Sequence, residues 1–239
     1  MSNSYFQFKQ FKIHQQKSAM KVCTDACLFG AWVADKMEGR KIKNVLDIGT
    51  GTGLLSLMIA QKIDAEIDAV EIDEAAAEQA KENFKQSPYA DVGRLNIVKG
   101  DVRKLQTNTD YDLIVSNPPF YNNDLKSVDQ QRNLALHSIS LSFEELVFQV
   151  VKYLKPNGFF AVLLPFARSE NFISTAERRN LFLFEQMLVK QTEEHQCFRS
   201  MLLFSKSFSM QKTSEISIKK GDKYSAPFVS LLKDYYLYL

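Results

Sequence analysis

Val45-Leu46-Asp47-Ile48-Gly49-Thr50-Gly51-Thr52-Gly53-Leu54-Leu55 runs from an apolar strand through three alternating glycines into a helix. The helix continues to Lys62, and Ile67-Asp68-Ala69-Val70-Glu71 then reads as a second strand. Strand, glycine turn, helix and strand make a βαβ unit, which requires parallel strands and an α/β sheet covered on both faces. The alternation continues downstream. An alanine-rich helix is expected over 74–86, strands over 95–98 and 111–116, a helix over 143–154 that stops near Pro156-Asn157-Gly158, and a strand over 159–164. A helix over 168–179 and strands over 181–190 and 199–205 complete the pattern.

Upstream, Tyr5-Phe6-Gln7-Phe8-Lys9-Gln10-Phe11-Lys12-Ile13 alternates apolar and polar residues as a short strand or docked arm does. Thr24-Asp25 precede Ala26, Leu28, Phe29, Ala31, Trp32 and Val33, so a capped helix is expected over 25–37. The organisation read from these patterns is an arm and helix over 1–40, a catalytic domain over 41–207 and an extension over 208–239. Residues 208–223 of that extension are rich in serine and lysine and read as mobile, whereas 224–239 are aromatic enough to fold back onto the body.

The spacing of the glycines restricts the ligand. A dinucleotide fingerprint needs a glycine where Leu54 stands, and the Gly-Lys-Ser/Thr ending of a phosphate loop is absent. An acid placed before the first glycine, Asp47, repels phosphate but suits a cofactor with an α-ammonium and a sulfonium, which is S-adenosylmethionine. Glu71 ends the second strand, where a carboxylate can accept ribose hydroxyls, and Asp101 follows the third, where it can receive an adenine amino group.

Asn117-Pro118-Pro119-Phe120 follows the strand over 111–116. Two prolines remove two amide donors and keep the chain extended, leaving the preceding carbonyls free to accept. With the Asn117 side chain, the Pro118 carbonyl and the flat face of Phe120, the stretch suits a planar group bearing an NH2. Residues 122–137 are polar and long for a loop, as a binding element or lid is, and Arg132 within them is a candidate phosphate contact.

Composition sets the outer bounds. The chain has 239 residues, 45% apolar and 24% charged, enough for a full core. No apolar run is long enough for a membrane span and the first residues lack a secretory pattern, so a cytoplasmic protein is expected. Cys23, Cys27 and Cys197 neither pair off nor complete a zinc site. The net charge of +2 is uneven: residues 1–21 carry +4 and 206–223 carry +3, which leaves −5 for the rest. Basic ends on an acidic body suggest a polyanion held at the domain edge.

The motifs at Asp47 to Gly53, Glu71, Asp101 and Asn117 to Phe120 resemble those of class I S-adenosylmethionine-dependent methyltransferases that act on amines. Phe8-Lys9-Gln10-Phe11, Met20-Lys21-Val22-Cys23-Thr24-Asp25-Ala26 and Leu28-Phe29-Gly30-Ala31-Trp32 are more specific. They resemble the bacterial tRNA1(Val) adenine-N6 methyltransferases, which modify the adenine just 3′ of the anticodon, position 37. The resemblance implies a Rossmann-like class I fold, a mostly parallel seven-stranded sheet flanked by helices. It also implies Asp47, Gly49, Gly51 and Gly53 around the methionine moiety, Glu71 on the ribose, Asp101 with Val102 on the adenine, and Thr24 and Asp25 closing the pocket.

Asn117, with Pro118, Pro119 and Phe120, would hold and stack the target base, Asn117 also bordering the cofactor. Lys9, Lys12, Lys17, Lys21, Tyr121 and Arg132 are candidate RNA contacts on the anticodon loop of tRNA. No metal and no membrane are expected. Cys23 stands where many relatives of this kind carry glycine. A second reading shares the Asn-Pro-Pro-aromatic motif, methylation of a glutamine side chain in a translation factor. Such enzymes place a helical domain ahead of the glycine loop, and only about 40 residues precede Val45 here. His14, His137 and His195 form no catalytic pattern with a carboxylate or nucleophile.

Overall fold

The computed structural model describes residues 3–18, 20–90, 93–119 and 141–239. Phe120, Tyr121, Arg132, His137 and the polar stretch over 122–137 lie outside the described residues. Tyr5–Gln7 (β1) and Lys12–His14 (β2) pair as an antiparallel hairpin. Thr24–Met37 (α1), Asn44–Ile48 (β3), Leu54–Lys62 (α2), Glu66–Glu71 (β4), Glu74–Lys85 (α3), Leu95–Lys99 (β5) and Tyr111–Ser116 (β6) follow. Phe143–Tyr153 (α4), Leu154–Pro165 (β7), Phe166–Glu177 (α5), Phe182–Thr192 (β8), Cys197–Ser205 (β9), Lys212–Lys220 (β10), Lys223–Tyr224 (β11) and Ala226–Leu232 (α6) complete the chain.

Among the described residues one sheet has the order β11-β10-β8-β9-β7-β6-β3-β4-β5. Strands β5, β4, β3, β6 and β7 are mutually parallel, and β9 runs antiparallel to both β7 and β8. Alternate residues of each inner strand enter separate cores. Val45, Leu113 and Val115 join α1 and α2 on one face, while Leu46, Ile48 and Ile114 join α4 and α5 on the other. Burial on both faces explains why these strands are continuous apolar runs.

The sheet is larger than the seven strands expected, because the serine- and lysine-rich segment is not a mobile tail. Lys212–Lys220 pairs in parallel with β8, Lys219 standing beside Thr192. Ile216 and Ile218 alternate with polar residues and are buried, which gives the segment the period of a half-buried strand. After it, Phe228, Leu232 and Tyr235 bury against the body. Phe8 bridges Tyr236, and the Lys9 amide donates to the Tyr235 carbonyl, so the two chain ends meet.

Two boundaries differ from expectation. The N-cap of α1 is Cys23, extended and without a side-chain cap bond, so Thr24 and Asp25 are the first helical residues. The helix over 143–154 ends at Tyr153 as expected, but β7 starts at Leu154 and not at 159, because Pro156 to Gly158 lie in a bulge where pairing passes from Tyr111↔Leu154 to Leu113↔Phe159.

Gly53 shows why the loop needs its last glycine. Its φ is +82°, and a Cβ there would lie 2.5 Å from Cε1 of the buried Phe84 ring. Gly53→Ala combines left-handed strain with overpacking, about 3 kcal/mol together. The thermal midpoint should fall by roughly 6–12 °C. An unchanged midpoint in a calorimetric scan would refute both the strain and the overpacking.

Candidate functional site

The sheet reverses its winding at β3. From there the chain moves outward through β4 and β5, then returns to place β6 on the other side. Such a switch point opens a crevice at the carboxyl ends of the two strands. Ile48 stands beside both Val70 and Ser116, and Glu71 beside Lys99, so the residues that follow these strands emerge on one edge. The glycine loop after β3 and Asn117 after β6 therefore flank the crevice. The Ser116 hydroxyl donates to the Ile48 carbonyl at 2.9 Å and ties its two sides together.

Asp47 is fully buried. Its Oδ2 accepts hydrogen bonds from Thr50 Oγ1 and Ser56 Oγ, both at 2.7 Å, whereas Oδ1 has no partner among the described residues. Burial pushes its pKa up to about 6; the two hydroxyls oppose that rise and Glu71 adds to it. An orphaned, buried carboxylate oxygen is a costly feature for a fold to keep, and a cationic donor satisfies it. Gly49 and Gly51 have φ of +74° and +57°, and a Cβ on either would point into open space. That space is where a ligand can lie against bare backbone.

Glu71 is buried and already has two bonds: Oε2 accepts from the Gly51 amide at 2.8 Å and Oε1 from the Asp73 amide at 2.9 Å. It shapes the glycine loop, and each oxygen keeps a lone pair for a ligand hydroxyl. Asp101 is more committed. It caps a short 3-10 turn at Val102–Lys104 by accepting from the Arg103 amide, and it forms an ion pair with the Arg103 guanidinium at 2.8 Å. Arg103 holds the Asp101 carboxyl below the usual range and also bonds Glu145 of α4 at 3.0 Å. Val102 is buried in the second core.

Asn117 is half-buried, Pro118 buried and Pro119 exposed, with no cis peptide among the described residues. Thr24 and Asp25 start α1, and Asp25 Oδ2 accepts from Arg199 Nε of β9 at 2.8 Å. The expected RNA lysines of the arm have partners within the chain. Lys17 pairs with Glu82 at 2.7 Å, Lys9 donates to the Lys233 carbonyl, Lys21 to the Gln15 carbonyl, and Lys12 lies over the Tyr5 ring.

Two contributors escape a reading of motifs. Asn83, fully buried in α3, donates to the Thr52 and His14 carbonyls at 2.8 and 2.9 Å and accepts from the His14 amide. It fastens the arm to the glycine loop, and nothing in an alanine-rich helix distinguishes it. Arg199 is the other, 174 residues from its partner Asp25. Of the histidines, His14 serves through its backbone and His195 shares a bond with Thr192 Oγ1 in the turn after β8.

A hollow lined by Met37 to Lys43 and Lys62 to Asp64 opens at the opposite edge, by the amino end of β3. Among the described residues no three His, Cys, Asp or Glu side chains group as a metal site, and no helix is long and apolar enough to cross a membrane.

The chain is similar to known proteins in sequence and in fold. The family described as methyltransferase small domain matches residues 30–164. A tRNA1(Val) (adenine(37)-N6)-methyltransferase from Phocaeicola vulgatus is 40% identical over 99% of both chains. One of the same description from Cytophaga hutchinsonii is 41% identical over 100% of both. In fold the chain is similar to a predicted O-methyltransferase from Agrobacterium tumefaciens, with a TM-score of 0.64 at 14% identity, covering 88% of this chain and 96% of that one. It is also similar to a putative class I S-adenosylmethionine-dependent methyltransferase from Listeria monocytogenes, with a TM-score of 0.62 at 16% identity, covering 92% and 72%.

Proposed function

We propose a function from the family: this chain belongs to the tRNA1(Val) (adenine(37)-N6)-methyltransferases, within the methyltransferase small domain family. Its reaction is methylation of N6 of adenine 37 in the anticodon loop of tRNA1(Val), with S-adenosylmethionine as donor. The observation that carries this reading is the pairing of the glycine loop and Asn117 across the β3/β6 switch point. Bound there, S-adenosylmethionine supplies an electrophilic methyl group. Asp47, with its orphaned Oδ1, and the open backbone of Gly49 and Gly51 fit the cationic amino acid end, and Glu71 fits the ribose.

The chain's own work is positioning. The adenine amino group is a poor nucleophile because its lone pair is delocalised into the ring. Hydrogen bonds from its two N–H groups to Asn117 and the Pro118 carbonyl favour a pyramidal nitrogen with the lone pair localised. Such bonds strengthen as nitrogen becomes cationic, so they act on the transition state more than on the bound substrate. A base stacked in the loop cannot reach the crevice and must be splayed out. The test is nucleoside mass spectrometry of tRNA1(Val) from cells lacking the protein. N6-methyladenosine at position 37 should vanish and return with the wild-type gene; its persistence would refute the assignment.

Glu71→Ala should weaken S-adenosylhomocysteine binding by more than tenfold, because it removes charge-assisted bonds to the ligand and to the loop, each about 1.5–3 kcal/mol. Single-turnover transfer at saturating cofactor should change much less, since ribose contacts are alike in ground and transition states. Normal calorimetric affinity with a large loss of turnover would remove Glu71 from the cofactor site.

A further inference from the structure

We propose that the rim formed by Phe166 and Arg199, at the ends of β7 and β9, holds the RNA strand beside the target adenine: Phe166 stacks on a flanking base and Arg199 takes a phosphate. The proposal rests on the tRNA reading above. Register places the rim. Ser116, the last residue of β6, pairs with Val162 of β7, and Pro165, three residues further along β7, pairs across to Arg199. Phe166, the residue after Pro165, is 43% exposed although large and apolar. Two strand spacings, about 10 Å, separate β6 from β9, within reach of the methylated nucleotide's own backbone or its neighbour's.

The Arg199 guanidinium is oriented for that task. Its Nε donates to Asp25 and Nη1 to the Phe198 carbonyl at 3.3 Å, its plane lying 5.4 Å from the Phe198 ring. Among the described residues those bonds use two of its five N–H donors and leave Nη2 for an anion. Its side chain is 31% exposed. An exposed aromatic face beside a fixed guanidinium is the chemistry that grips single-stranded nucleic acid. Of the arm lysines, Lys17 is neutralised by Glu82, whereas Lys9, Lys12 and Lys21 keep their charge on neutral partners; what distinguishes the rim is its place two strands from the crevice. Glu193, in the turn between β8 and β9, is paired with Lys220 of β10.

The experiment uses the full chain and an unmodified tRNA1(Val) transcript, with affinity measured across a salt series and S-adenosylhomocysteine affinity measured in parallel. Phe166→Ala should weaken tRNA binding about 5- to 150-fold, the loss of one base stack, with cofactor affinity retained. Arg199→Gln should lower the slope of log affinity against log salt by about 0.7, the loss of one phosphate contact on a single strand, and Arg199→Lys should restore it. Wild-type tRNA affinity in Phe166→Ala together with an unchanged slope in Arg199→Gln would overturn the rim. So would a loss in Arg199→Gln confined to cofactor affinity, which would make Arg199 a support for Asp25 alone. Failure of the wild-type protein to methylate the transcript would instead refute the proposed function, and the rim with it.

Discussion

Asn117→Ala is expected to slow single-turnover methyl transfer 100- to 1000-fold, about 2.7–4 kcal/mol, while leaving S-adenosylhomocysteine affinity nearly unchanged. The residue begins the segment after β6, directly across the switch point from the glycine loop, and is half-buried, so its carboxamide is partly withdrawn from water. A preorganised acceptor in such a place is worth more than in bulk solvent, and on the proposed mechanism its bond strengthens as the amine becomes cationic. Asn117→Asp is the sharper variant, because it keeps an acceptor of nearly the same shape. Appreciable activity should survive in it. Near-normal transfer by Asn117→Ala would refute the pyramidal-amine mechanism, and a parallel loss of cofactor affinity would move Asn117 to a supporting role.

The second large effect belongs to Asp47 and runs in opposite directions for binding and stability. Its pKa of about 6 in the folded protein stands above the ~3.9 of an unfolded aspartate, so the folded state binds the proton more tightly. The ligand-free protein thus gains stability as pH falls from 6 toward 4 and carries a penalty of up to ~2.9 kcal/mol above 6, where the buried carboxylate is ionised. A cationic ammonium against Oδ1 reverses the preference. Affinity for S-adenosylhomocysteine should fall about tenfold between pH 7 and pH 5 and stay level above pH 7.

Asp47→Asn should abolish that dependence on pH. It should weaken binding at pH 7 on the order of 10- to 100-fold, through loss of a charged hydrogen bond, and should raise the stability of the ligand-free protein. Calorimetric titration and thermal unfolding over pH 5–8 test both. A pH-independent affinity in the wild type would separate Asp47 from the cofactor.

Local physics made much of this protein readable in its sequence. The βαβ unit follows from apolar strands and a glycine turn, and the parallel sheet from strands with no polar face, as β3 and β6 show by feeding alternate residues to two cores. The places of the glycine loop, Glu71 and the Asn-Pro-Pro stretch at the ends of β3, β4 and β6 were legible because each directly ends or follows an apolar run in the chain. Hydrophobic period even contradicts the mobile-tail reading of residues 208–223, since Ile216 and Ile218 alternate with polar residues; composition alone hid it.

What only the tertiary structure decided are the partners brought from far along the chain. Strand order sets the switch point, and with it which two loops face one another; no local pattern encodes that β6 returns beside β3. Arg103 reaches Glu145, Arg199 occupies Asp25, and Asn83 joins the arm to Thr52, each a pairing of ordinary polar residues that becomes specific only in the folded chain. Burial turns Asp47, a plain aspartate in the sequence, into a carboxylate with its pKa near 6, because desolvation is a property of the assembled interior and not of the residue.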